Sequence, residues 1–180
     1  MDTIQILKIQ AELAQHTLEE PNGRHKRLYR LVCDEGWLRA GLDTVLSNRG
    51  SNTPGIDGVT KGKVDKREEG RERLVQQLQE ELLTDEYSPQ PVKRVYIPKA
   101  NGKLRPLGIA TIRDRAVQAT VKMILEPIYE SVFYPFSWGF RPLRSTHHAL
   151  SDLYRVLGNP QGGFKWVIEG DIAACFDHTC

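Results

Sequence analysis

Apolar positions along this 180-residue chain recur first with a period near 3.6 and later with a period of two. Ile4, Leu7, Ala11, Ala14 and Leu18 fall on one side of a helix that the Pro21-Asn22-Gly23 turn should end. Leu28, Leu31 and Val32, then Trp37, Leu38, Leu42, Val45 and Leu46, predict two further short helices broken around Asp34-Glu35-Gly36. Residues 50–60 are too rich in Gly, Ser, Asn, Pro and Asp for regular structure, and read as an ordered loop or a linker. Leu74, Val75, Leu78, Leu82 and Leu83 predict another helix with acidic residues on its wet side.

Alternation then takes over. Val92–Ile97 and Lys103–Leu107 read as two strands around Asn101-Gly102, a dipeptide that favours a hairpin because both residues tolerate positive φ. Pro106 has no N–H for a ladder, which puts the second strand at an edge or a bulge. A helix follows, with Ala116, Val117, Val121, Ile124, Leu125 and Ile128 on one face. Next comes an aromatic loop, 134–140, and then a helix capped by Ser145 that carries Ala149, Leu150, Leu153 and Val156. The run Trp166–Ile168 reads as a buried strand. The order helices, hairpin, helix, helix, strand suits an α+β fold.

Composition narrows the class. With 39% hydrophobic and 27% charged residues, the chain is ordinary for a globular protein. No apolar run approaches the roughly 18 residues of a membrane span. The N-terminus lacks the basic start and apolar stretch of a signal peptide, so the cytoplasm is the expected compartment. Cys33, Cys175 and Cys180 lack CxxC spacing and suggest neither zinc nor a disulfide framework. Nothing indicates an oligomer.

The net charge of +2 conceals a local bias. Between Pro91 and Arg115, Lys93, Arg94, Lys99, Lys103, Arg105, Arg113 and Arg115 face Asp114 alone, whereas residues 65–87 carry eight acidic side chains against four basic ones. A basic segment beside an acidic one fits a directed polyanion-binding face, although charged strand edges that guard against pairing would give the same pattern. On the hairpin, Lys99 and Arg105 flank the turn with Lys103 between them. A compact ammonium beside a bidentate guanidinium suits a triphosphate; the alternative is a solvated hairpin.

At the end of the predicted strand stands Asp171, with Phe176 five residues on. Many nucleotidyl-transfer sites hold Mg²⁺ and a nucleotide sugar side by side in this way. Asp177 reads as a structural or helix-start carboxylate. Glu169, two residues before Asp171, is a possible neighbour of the metal. His147 and His148 are adjacent, so they project to different faces and make a poor metal pair. Phe136, Trp138 and Phe140 are expected to plug a core rather than stack on bases.

Five blocks in order resemble the bacterial group II intron reverse transcriptases. Leu28–Trp37 with Pro54–Thr60 is similar to their N-terminal extension and the loop region that follows. Tyr87–Ile109 resembles the first fingers motif, and Arg113–Gln118 opens the next helix. Ser137–His147 resembles the second motif, and Glu169 through Asp177 the start of the palm. The resemblance implies a right-hand polymerase fold containing a fingers hairpin with packed helices and the first palm strand. It implies a helical extension and loop over 1–60, fingers over 61–165 and the start of the palm over 166–180.

It also implies roles. Asp171 would be a catalytic metal ligand of a two-Mg²⁺ site, of which this chain has only part, because no Tyr/Phe-x-Asp-Asp sequence is present. Phe176 would be the steric gate under the sugar, and Lys99 and Arg105 would hold the dNTP triphosphate. Lys103 and Arg141 would lie near template or nucleotide. The 50–60 loop would follow the template, with Gly55 and Gly58 allowing close backbone approach. Partners would be an RNA template, a DNA primer, intron RNA and dNTP, with no membrane. The chain alone would be inactive as a polymerase. The alternative is a non-catalytic RNA-binding module that reuses a fingers half-domain.

Overall fold

The computed structural model describes residues 2–66, 69–158, 164 and 166–172, and divides into two compact units, Met1–Phe133 and Tyr134–Cys180. In the first, α1 (Thr3–Glu19) starts at a capping box in which Asp2 accepts from the Gln5 amide and the Gln5 side chain returns to the Asp2 N–H. α2 (Leu28–Val32) is a single turn or so, and Asp34 then caps α3 (Glu35–Ser47) by accepting from the Gly36 and Trp37 amides. The break expected near Asp34 is therefore a cap. A 3₁₀ turn (Arg49–Asn52) leads into the loop. α4 (Lys61–Asp65), which the apolar pattern does not predict, is too short to display a period. α5 (Gly70–Leu83) follows.

α3, α5 and α6 (Ile112–Val132), with α1 laid on α6, enclose one apolar core. Trp37, Leu38, Leu42, Val75, Leu78, Ile112, Ala116 and Ile124 are its most buried members. Gly41 brings α3 and α6 close: a Cβ there would sit 2.3 Å from Thr120 Oγ1 and 2.8 Å from the Ala116 carbonyl oxygen. Residues 1–60 and 61–133 thus share a core, and no packing boundary falls at position 60.

Pro127 lies inside α6 and has no N–H to offer the carbonyl four residues back, that of Met123. Gln10 of α1 supplies the missing donor, its Nε2 lying 2.7 Å from the Met123 oxygen. The proline that would weaken the helix alone becomes an anchor point for α1.

β1 (Lys93–Pro98) and β2 (Leu104–Ile109) pair antiparallel, from Lys93 opposite Ile109 to Pro98 opposite Leu104. Asn101 and Gly102 do not share the positive φ expected of them. Lys99 donates to the Lys103 carbonyl at 2.8 Å, Gly102 donates to the Lys99 carbonyl at 3.0 Å, and Gly102 alone is at positive φ, +77°. This is a three-residue loop with a glycine bulge. Asn101 contributes its side chain, which accepts from the Lys103 amide, rather than its φ. Since hydrogen-bonded and open pairs alternate from the Lys99–Lys103 bond, Pro106 falls in an open pair opposite Tyr96, where no N–H is required.

In the second unit, Ser145 stands at the start of α7 (Thr146–Leu157), where its carbonyl accepts from the His148 and Ala149 amides but its side chain makes no cap bond, the hydroxyl lying instead 3.3 Å from His148 Nδ1. No residue of α7 is buried. Two expectations fail here. Phe136 and Phe140 are exposed and plug nothing, because the loop is organised by polar bonds instead. Trp166–Ile168 is exposed and carries no regular structure: a strand needs a partner for its ladder, and among the described residues the only sheet is the hairpin. The α+β class stands on the helices and that hairpin.

Candidate functional site: the basic hairpin

Alternation along the paired strands sorts the hairpin side chains. Lys93, Val95, Ile97, Arg105, Leu107 and Ile109 share one face, while Arg94, Tyr96, Pro98, Leu104 and Pro106 share the other. Continued one step past β1, the same alternation puts Lys99 and Lys103, a bonded pair, on the face of Arg105. Three cations therefore cluster at one end of one face. All three are exposed, and each of them can meet a polyanion.

The hairpin is held by its base. Asp114 is 2% exposed and accepts from Tyr87 Oη (2.9 Å), the Gln90 amide (3.2 Å) and Thr111 Oγ1 (2.6 Å). Gln90 precedes β1 and Thr111 follows β2, so a single carboxylate ties both legs. Thr111 also caps α6, its Oγ1 accepting from the Asp114 amide. Burial, and then the bond to Asp114, push the Tyr87 phenol well above its ordinary range, which keeps it a donor. Arg113 lies over the Tyr87 ring, 5.2 Å from its centroid, and pairs with Glu81 of α5.

The 50–60 loop is docked against the same corner. Arg115 donates to the carbonyls of Gly50 (2.7 Å) and Thr53 (2.9 Å), and burial lowers its pKa from the usual arginine value. Gly55 is buried, and a Cβ there would meet the Thr111 backbone at 2.8 Å. The close approach that Gly55 permits is thus to the chain's own β2–α6 junction. Gly58 adopts φ +68°, and Lys63 donates to its carbonyl.

Arg141 and Asp171 belong to the other unit. Arg141, 9% exposed, donates through one guanidinium nitrogen to the carbonyls of Tyr134 and Ser137, both at 3.0 Å, and so holds the aromatic loop closed. Arg144 stacks over Trp138 at 4.8 Å. His147 and His148 are exposed on α7, as a helix-surface role requires. Asp171 is exposed in a stretch without regular structure, and Phe176 and Asp177 lie outside the described residues. Tyr87, Thr111, Asp114 and Arg115 were not among the sequence candidates. Their signal was there: the lone acid in the basic segment sits three residues after a threonine, the spacing of a cap.

Comparison with known proteins adds the family. A family model described as "Reverse transcriptase (RNA-dependent DNA polymerase)" matches residues 97–179. Protein YkfC of Escherichia coli is 45% identical over 178 residues, 96% of this chain and 45% of that protein. The group II intron-encoded protein LtrA of Lactococcus lactis is 38% identical over 182 aligned residues, 98% of this chain and 27% of LtrA. This chain belongs to the group II intron-type reverse transcriptases. Nuclear intron maturase 2 of Arabidopsis thaliana shares 43% identity over 65 residues, 36% of this chain and 8% of that protein. The chain spans less than half the length of these relatives.

Reverse transcriptases generally use divalent metal ions. Among the described residues no three or more His, Cys, Asp or Glu side chains converge, so Asp171 does not make up a two-ion site with them. No helix among the described residues is long and apolar enough to cross a membrane.

Proposed function

We propose that this chain supplies the extension (1–60), fingers (61–165) and start of the palm (166–180) of an RNA-directed DNA polymerase, binding an RNA template, a DNA primer and dNTP, with intron RNA as a further partner in the cytoplasm. The observation that carries this reading is the clustering of Lys99, Lys103 and Arg105 on one face of a hairpin whose legs meet on buried Asp114. Charges held on a fixed strand pair lose little freedom on meeting a triphosphate, and a hairpin anchored only at its base can still tilt onto one. Lys99 and Arg105 hold the triphosphate, and Lys103 contacts the template. Arg141 acts by shaping its loop, and Gly55 by letting the 50–60 loop dock. Asp171 is the candidate for a metal ligand of a Mg²⁺ pair and Phe176 for the sugar gate. By itself the chain does not extend a primer, since no second aspartate motif is present.

A second reading, a non-catalytic RNA-binding module, is favoured by the exposed position of Asp171, which joins no cluster of His, Cys, Asp or Glu among the described residues. RNA affinity and nucleotide affinity separate the two. On an RNA–DNA duplex, log affinity should fall linearly with log salt, by roughly 0.9 per phosphate contacted on a duplex, and Lys99→Ala with Arg105→Ala should flatten the slope. A slope near zero would remove the basic face from the account. RNA binding without any dNTP binding would select the module, and incorporation of dNTP on poly(rA)/oligo(dT) by the pure chain would contradict its inactivity.

A further inference from the structure

At the foot of the 50–60 loop, away from the hairpin tip, α4, α5 and the start of α6 enclose a recess of about 210 Å³. Its lining divides by chemistry. Val59, Val64, Leu74 and Ile112 make an apolar floor, Lys63 and Arg73 stand at the edge with the Gln77 amide beside them, and Asp57 is the one acid of the lining, its carboxylate already accepting from the Val59 amide. Lys63 donates one N–H to the Gly58 carbonyl, whereas among the described residues the Arg73 guanidinium has a loose ion pair with Glu69, at 3.9 Å. Arg113 forms part of the wall, and its Nε is buried with no hydrogen-bond acceptor.

We propose that this recess binds one phosphate-bearing nucleoside unit, with the base on the apolar floor and the phosphate on Arg73 and Lys63. A bare anion would leave the floor uncovered, and a bare heterocycle would leave the positive charge of Lys63, Arg73 and Arg113 in excess over the single lining acid, Asp57, so a ligand that is both flat-apolar and anionic suits the lining best. Gln77 offers a donor and an acceptor to a base edge. Arg113 links the recess to the hairpin base, through its stacking on Tyr87 and its pairing with Glu81. The ligand is either a free mononucleotide or an unpaired nucleotide of a bound RNA strand. This site is separate from the hairpin triphosphate site and does not depend on it.

The test is an amide-resolved NMR titration of the 180-residue chain with adenosine 5′-monophosphate, adenosine, inorganic phosphate and a short oligo(rA). The monophosphate is expected to shift amides around Val59–Val64, Arg73–Gln77 and Arg113. Arg73→Glu combined with Lys63→Glu should weaken it tenfold or more. Both side chains are largely exposed, and Arg73→Gln alone, with a smaller loss, guards against a folding artefact. Lys99→Ala with Arg105→Ala should leave this binding unchanged, which separates failure here from failure of the hairpin reading. Competition by oligo(rA) would identify RNA as the source, and its absence a free nucleotide; either supports the site. Unchanged affinity in the Arg73 and Lys63 variants, shifts confined to other residues, or inorganic phosphate binding as tightly as the monophosphate would overturn it.

Discussion

α6 and α7 both have an apolar stripe at helical spacing, yet their fates differ. α6 buries Ile112, Ala116, Val117 and Ile124 against α1, α3 and α5, whereas Leu150, Leu153 and Val156 of α7 stay exposed. The same contrast separates the two carboxylates that matter most. Asp114 sits in the packed unit with three donors fixed around it, and Asp171 sits in the other unit, exposed. A periodic pattern therefore states what a helix can bury, and only the neighbouring elements decide whether it does. A functional side chain gains a defined position in the first setting and not in the second.

The largest effect should come from removing the centre of the packed unit. Trp37 is 0% exposed between α3 and α6, and Trp37→Ala should cost about 3–5 kcal/mol in chemical denaturation. Next is Asp114→Asn, which presents an amide donor to groups that are themselves donors. It should cost about 1–3 kcal/mol and raise hydrogen exchange across residues 93–109 more than in α3. Exchange rising equally everywhere would mean that Asp114 supports the core and not the hairpin in particular.

A smaller effect follows from Tyr87. Folding keeps its phenol protonated to higher pH than the unfolded chain does, so its contribution is intact below about pH 10 and is lost as pH rises further. Stability measured above that pH should fall more steeply for the wild type than for Tyr87→Phe; parallel slopes would contradict the bond to Asp114. The smallest effect belongs to α7, where Leu153→Ala should change stability by no more than about 0.5 kcal/mol. A loss of several times that would show that the α7 face is covered in solution.

Much of the first unit was legible in the sequence, because its helices are long enough to show their period and its hairpin is bounded by Asn101-Gly102. The turn type was not, since Asn101 can act through φ or through its side chain and only the backbone decides. Nor was the role of Gly55: a glycine in a loop announces a close approach without naming what approaches. Asp114 was visible as a lone acid among cations, but its three partners come from positions 87, 90 and 111, a convergence that spacing alone does not specify. In the second unit the pattern at Trp166–Ile168 was apolar enough for a strand, and a strand depends on a ladder partner that no local pattern supplies.

The central claim is that the Lys99–Arg105 end of the hairpin meets a nucleotide triphosphate. Titrating dTTP and thymidine into the full chain while following backbone amides tests it directly. The account predicts that dTTP, not thymidine, shifts the amides of Lys99, Lys103 and Arg105, and that Lys99→Ala and Arg105→Ala each weaken it by roughly ten- to a hundredfold, as expected for loss of a charge-assisted hydrogen bond worth roughly 1.5–3 kcal/mol. Affinity for dTTP that is unchanged in the double variant, or shifts that bypass residues 99–105, would contradict it.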